Sequence, residues 1–428
     1  MIKQRVYRLL ALCARAECSA AHYERLAQAA VELEEWEGIA AQAEAHGMAP
    51  LLYVHLKEAG VELPLTAKRE LMGLYARHRH ANRVRTRVLR DILAAYQSAG
   101  ISALVLKGAA LSHLVYPEPG LRPMSDVDIL VPQPEVWRAQ EVLAELGFDT
   151  PQPPGPMLPH RHLPAATLRR QGLSINVEIH HQLLSDYFDN ARAYVLSMFP
   201  PSVRSAAKKY DKRRAPSDTS WETGNVWAEL GQAELDGLTR QPLPFALMDL
   251  TAHTLGYEDT LGYLGQHLIS HVNVWDYGRL IWVADIVSFA ERFAAEIDWE
   301  WVQLQNPAVL DTLSLLHFMT PLSDELLGVA HVKIGHAPQG VGVEYQGWPR
   351  TRVADWPAIG YRRALRNTLL PSEWWLRLRY TLGSGRPLFW YRWLRHPLYI
   401  LGHVIRVLLE RLGWPSPFEL VEGRKAGS

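Results

Sequence analysis

Apolar residues recur every three or four positions through the first hundred residues, where Ala, Leu, Glu and Arg dominate. This predicts a run of helices over 1–99. Its longest stretch, 67–99, carries Arg69, Arg77, Arg79, Arg83, Arg85, Arg87 and Arg90, and Ala99-Gly100 ends it. The pattern then changes period. ISALVL (101–106) reads as a short buried strand, 109–115 as a helix, YPEPG (116–120) as a loop and 127–131 as a second strand. A helix over 134–146 stops at Gly147, and a Pro-rich run over 150–164 leads into a hairpin with Gln171-Gly172 at its turn. In the second strand of that hairpin Ile175, Val177 and Ile179 share one face, while Asn176, Glu178 and His180 share the other. Residues 200–242 are polar and weakly patterned, as in an insertion or linker. Helical periodicity returns over 243–332, followed by a loop-rich segment and tail over 333–428. Within that tail, 388–412 is basic, aromatic and amphipathic, interrupted by Pro397. The expected organisation is an N-terminal helical domain (1–99), a small α/β core (100–199), the 200–242 insertion, a helical domain (243–332) and the tail.

Length and charge narrow the reading only slightly. A chain of 428 residues has room for two or three domains. Lys+Arg and Asp+Glu are equal at 45 each, so no global field draws it to nucleic acid, although local patches are compatible with this balance. The two cysteines, Cys13 and Cys18, are too few for a thiolate metal site and fit reduced thiols in a cytoplasmic protein. Arg15 and Glu17 interrupt the first apolar run too early for a signal peptide, and no run of apolar residues is long enough to span a membrane. The many tryptophans cluster late in the chain, where buried packing is the ordinary expectation.

The chemistry concentrates in LVLKGAALSHLVYPEPGLRPMSDVDILV (104–131). Asp126 and Asp128 alternate with Val127 and Ile129, so both carboxylates share one strand face, roughly 7 Å apart. Two adjacent negative charges on a strand of this kind call for a divalent cation. Gly108 opens a strand-to-helix turn whose free N–H groups suit a phosphate, and Lys107 adds charge there. Glu178, on a polar strand face, is the third carboxylate. Three carboxylates from two strands suit a two-metal site for phosphoryl or nucleotidyl transfer, with Mg2+ favoured by the oxygen donors and Mn2+ an alternative. The same spacing in Glu32/Glu34 and Asp298/Glu300 falls on helical stretches, where the carboxylates read as solvated.

LKGAAL, YPEPGLRPMSDVDILV and VEIHHQL together resemble the polymerase-β-type nucleotidyltransferase superfamily, and within it a bacterial family of uncharacterised nucleotidyltransferases. LKG followed by R-x-x-S-D-x-D is also similar to the nucleotidyltransferase toxins of abortive-infection systems. The close resemblance covers about 100–190, and a weaker one extends through LTAHTLGY and RLIWVADIV to about 330. It implies an α/β (α+β) nucleotidyltransferase core with a small mixed sheet, flanked by helical domains. It implies Asp126, Asp128 and Glu178 as catalytic metal ligands, with Glu178 alternatively a base toward the acceptor. Lys107, Gly108 and Arg122 would bind the triphosphate, with Arg122 swinging over the phosphates from its loop or pairing with Asp126.

Ser125 is either a phosphate donor or a strand cap, and His180 either a nucleotide contact or a structural histidine. A zinc site from His160, His162, His180 and His181 is a poor reading, because the spacing is irregular and thiolates are lacking. His253, Asp276, Arg279 and Asp285 lie on apolar helical stretches, where Asp276 and Arg279 form a plain i,i+3 pair.

The expected activity is transfer of an NMP from an NTP to an unknown acceptor: a small molecule, peptide, protein or tRNA. Two alternatives stand beside it. One is a toxin-like enzyme modifying tRNA or protein, contacted through the Arg-rich helix. The other is an inactive nucleotide-binding or scaffold protein whose 388–412 tail lies on a membrane or a partner helix.

Overall fold

The computed structural model describes residues 4–151, 162–183, 241–275, 278–340, 345, 347–349 and 351–412. The 200–242 insertion therefore lies almost wholly outside the described residues, as do His160 and Asp276. The helices are α1 (Gln4–Leu12), α2 (Ala20–Val31), α3 (Ile39–Ala45), α4 (Ala49–Glu58), α5 (Leu65–Ser98), α6 (Lys107–Leu114) and α7 (Val136–Glu145). They continue as α8 (Tyr257–Trp275), α9 (Leu280–Arg292), α10 (Trp299–Gln305), α11 (Pro307–Leu316), α12 (Asp324–Val329), α13 (Trp356–Ile359), α14 (Tyr361–Leu369), α15 (Glu373–Arg379) and α16 (His396–Arg411). The strands are β1 (Leu104–Leu106), β2 (Asp126–Leu130), β3 (Ala166–Arg170), β4 (Leu173–His180), β5 (Leu243–Leu247) and β6 (Leu250–Thr254). This is a helix-rich α+β fold.

Four strands form one mixed sheet in the order β1-β2-β4-β3. β1 runs antiparallel to β2, β2 parallel to β4, and β4 antiparallel to β3. The β3–β4 connection turns at Gln171 and Gly172, both with positive φ (51° and 76°), the conformation that twists two strands into a tight hairpin. Ile175, Val177 and Ile179 are buried, as their alternation requires. They meet Val127 and Ile129 of β2, Val142 of α7, and Val84, Val88, Ile92 and Tyr96 from the second half of α5.

Two expectations need correction. Residues 243–254 form the β5–β6 hairpin rather than the start of a helix. Leu243, Phe245 and Leu247 alternate with exposed Pro244 and Ala246, and Met248 at the turn has φ 58°. Five-residue strands are too short for a helical window to exclude. Phe245, Leu247 and Ala252 join the core beneath the sheet, so this hairpin belongs with the α/β region. The second correction concerns the helices. α1–α4 do not build a core of their own: Leu9, Leu10, Leu26 and Leu52 share one apolar cluster with Val287, Phe289, Leu313 and Leu376 from the later helices. α5 bridges both cores, with Ala67 and Leu71 in the helical one and Val84–Tyr96 under the sheet.

Candidate active site

Register places the key side chains. β2 and β4 run parallel with Asp128 opposite Glu178 and Asp126 opposite Asn176. β1 is paired so that Leu106 faces Asp128, and the chain leaves β1 through Lys107. Lys107 adopts φ 49°, a left-handed conformation uncommon for a non-glycine residue, and its Nζ lies 3.2 Å from Asp128 Oδ2. On the other side His180 Nε2 lies 2.8 Å from Asp128 Oδ1 and 3.5 Å from Glu178 Oε2. Asp128 is thus a buried carboxylate held between the Lys107 ammonium and the His180 imidazole. His162, bridged to His180 at the sheet margin, stands 3.7 Å from Glu178 Oε2.

The electrostatics follow from these contacts. Burial would raise the Asp128 pKa, but Lys107 and His180 outweigh it and hold the carboxyl well below the usual range. The hydrogen bond from His180 lowers that of Glu178 against its burial. Burial disfavours charge on His180 and Lys107. The carboxylates overcome it for His180, and Tyr263 together with Asp128 for Lys107, so both pKa values rise. Asp126 differs: burial and the neighbouring Asp128 charge raise its pKa, and it accepts a 3.1 Å hydrogen bond from Ser125 Oγ.

α6 begins at Lys107 with no side chain capping its first turn, which leaves donors beside the carboxylates for an anion. Gly108 is required by close packing. A Cβ there would lie 2.2 Å from Arg122 Nη1 and 2.5 Å from Arg122 Cζ.

Arg122 itself is not poised over the carboxylates, and it does not pair with Asp126. Its guanidinium is buried, and Nε and Nη2 donate to the two oxygens of Asp285 at 3.1 and 2.6 Å. Tyr116 Oη also donates to Asp285, and Asn82 Nδ2 donates to the Arg122 carbonyl. Arg122 therefore clamps the D-x-D loop onto α9. A lone acid in the apolar run LIWVADIV was the available signal for such a buried partner.

The structure brings three further residues to this site, of which the sequence offered Arg85 only within a basic run and His162 only in a poor zinc reading. Arg85 on α5 interacts electrostatically with Asp126, and its Nε has no hydrogen-bond partner among the described residues. It belonged to the basic run, but only packing separates it from the others. Arg77 pairs with Glu44, Arg79 with Glu118 and Arg90 with Asp249, so these arginines tie elements together. Tyr263 of α8 lies under Lys107, its ring centre 5.9 Å from Nζ. His162 is the third.

The ligand atoms of Asp128, Glu178 and His180 all lie within 4.8 Å of one another, and Asp126 is not one of the three. Two carboxylates and one imidazole at this spacing fit a divalent cation. The carboxylate oxygens suit Mg2+, and the imidazole widens the choice to Mn2+. Such an ion would take the place of the Lys107 ammonium beside Asp128 and would bind His180 as the neutral imidazole.

A mixed sheet thus carries clustered acids beside a lysine–glycine helix start. Residues 32–200, under half of the chain, match the model of a family described as an uncharacterised nucleotidyltransferase, so this stretch is similar to that family. The matched stretch runs from before α3 past β4 and contains all of the clustered acids. No curated protein and no solved structure matches the chain.

Proposed function

We propose that this protein is a divalent-metal-dependent nucleotidyltransferase that moves an NMP from an NTP to an acceptor hydroxyl and releases pyrophosphate. The observation that carries this reading is the convergence of Asp128, Glu178 and His180 beside Lys107 and the uncapped start of α6. Asp128, Glu178 and His180 would hold the cation. When bound, it neutralises phosphate charge and stabilises the oxygens of an in-line displacement. Lys107, released from Asp128, turns to the triphosphate, whose oxygens meet the first N–H groups of α6 at Gly108. Ser125 and Arg85 flank the same face. Asp126, which stands outside the triad and whose pKa is raised by burial and by the Asp128 charge, takes the proton of the acceptor hydroxyl. The acceptor oxygen bonds to the α-phosphorus, the bond to the bridging oxygen breaks, and pyrophosphate leaves with that electron pair.

The test is incubation with each labelled NTP and a cell extract, followed by pyrophosphate release and label in RNA, protein or small molecules. Asp128→Asn should abolish transfer and divalent binding by calorimetry. Asp126→Asn should abolish transfer yet keep divalent binding. Full activity in purified Asp128→Asn overturns the assignment.

One observation favours a nucleic-acid acceptor as a second reading. A surface groove beside α5 is lined by Tyr53, Tyr75, His80 and exposed Arg83, with Arg79 held by Glu118 at its wall, which sets aromatic surface beside the Arg83 charge. Acceptor binding should then weaken steeply as salt rises, whereas a small-molecule acceptor would show little change.

A further inference from the structure

The tail that sequence patterning marks as amphipathic is helical, and its apolar stripe faces outward. Tyr391–Arg395 form a π turn immediately before Pro397, which has no N–H to continue the ladder, and α16 then runs on to Arg411. Trp390, Leu394, Leu398, Leu401, Ile405 and Leu408 follow one another at steps of four, four, three, four and three residues. They lie on one helical face, and each is between 44% and 67% exposed. Phe389 and Trp393 add exposed rings at the same end.

This exposure does not come from a loose helix. The opposite face is anchored: His396 Nε2 donates to the Thr368 carbonyl at 2.8 Å, and Ile400 is buried. The Arg379 guanidinium sits 4.0 Å from the Tyr399 ring centre, and Trp348 meets the His403 ring at 4.4 Å. The fold thus holds the helix by its polar and aromatic side and presents the apolar side to solvent.

Charge identifies what covers it. α14 packs against α16 and exposes Arg362, Arg363 and Arg366 beside Tyr361 and Leu365. Across 361–369 and 388–412 there are seven arginines and one glutamate. A second copy laid on the stripe would set this strongly basic segment against an equally basic one, with like charges facing across the contact. An anionic lipid surface meets both features at once. Its headgroups pair with the arginines, and its acyl boundary takes the leucines and the tryptophan and phenylalanine rings to a depth of about 5–10 Å. No helix among the described residues is long and apolar enough to cross a membrane.

We propose that 388–412, with the basic face of α14, docks this protein flat on an anionic membrane surface. The experiment is co-sedimentation of the full-length chain with phosphatidylcholine vesicles, with and without phosphatidylglycerol. Binding should require phosphatidylglycerol and weaken as salt rises. It should fall by about tenfold or more in Leu401→Asp/Ile405→Asp and in Arg392→Glu/Arg395→Glu. Both positions of the first variant are exposed, so its thermal melt should match that of the parent. Equal binding to neutral vesicles, or no loss in either variant, overturns the proposal. A concentration-dependent dimer that Leu401→Asp/Ile405→Asp dissociates, without vesicle binding, overturns it in favour of a self-association face.

Discussion

Gly108 and Arg122 show how narrowly single residues define this site. The guanidinium that rests on Gly108 is pinned by Asp285, so it cannot retreat from an added methyl group. Gly108→Ala should therefore lower stability by about 1–3 kcal/mol, read from denaturant midpoints. Because the two side chains touch, the cost should shrink when Arg122→Ala is combined with it. Strict additivity in that double-mutant cycle would show that the contact is not the cause. Lys107 is a second such residue. Its left-handed backbone and its 3.2 Å approach to Asp128 place an ammonium beside the clustered carboxylates, where the proposed reaction calls for a triphosphate. Lys107→Met should raise the KM for NTP more than it lowers thermal stability, and an unchanged KM would remove Lys107 from the nucleotide site.

Among elements, the decisive contact joins the D-x-D loop to α9. Asp285 accepts from Tyr116 and twice from Arg122 in a buried environment, so its charge is matched and its oxygens are satisfied. Replacing it leaves a buried guanidinium uncompensated. Asp285→Ala should cost about 3–5 kcal/mol in chemical denaturation. A loss well under 1 kcal/mol would show that the pair is solvated and not a clamp. Much of the element structure is legible in the chain itself. The alternation over Ile175–His180 and over Asp126–Leu130 assigns strands and faces without any tertiary information. β5 and β6 are not legible in the same way. Two five-residue strands joined by a turn sit beside a long helix, and local period alone does not separate them from its first turns. Their assignment depends on the apolar surface of the sheet that Phe245 and Leu247 complete.

For the whole molecule, burial of histidines couples the fold to pH. Burial pushes His22, His396 and His403 down to about 4, so each is neutral in the folded state near pH 7. The unfolded chain takes up these protons near pH 6.5 and the folded chain only near 4. Stability should therefore decline as pH falls from about 6.5 to 4. His396 alone accounts for about 3 kcal/mol of that decline. A His396→Gln variant should show a flatter dependence over this window in pH-dependent melts, whereas an unchanged slope would place the titration elsewhere.

By itself the sequence determined the strands of the mixed sheet, the shared face of Asp126 and Asp128, the polar face carrying Glu178 and His180, and the amphipathic tail, because period and turn chemistry are local properties. Tertiary structure alone decided the rest. Strand order set Glu178 and His180 opposite the D-x-D strand, close packing committed Arg122 to Asp285, and Arg85 was singled out from its basic run. The same packing turned the stripe of α16 outward, because its other face was already occupied. Charge pairing and burial depend on neighbours distant in the chain, and spacing along the chain carries no record of them.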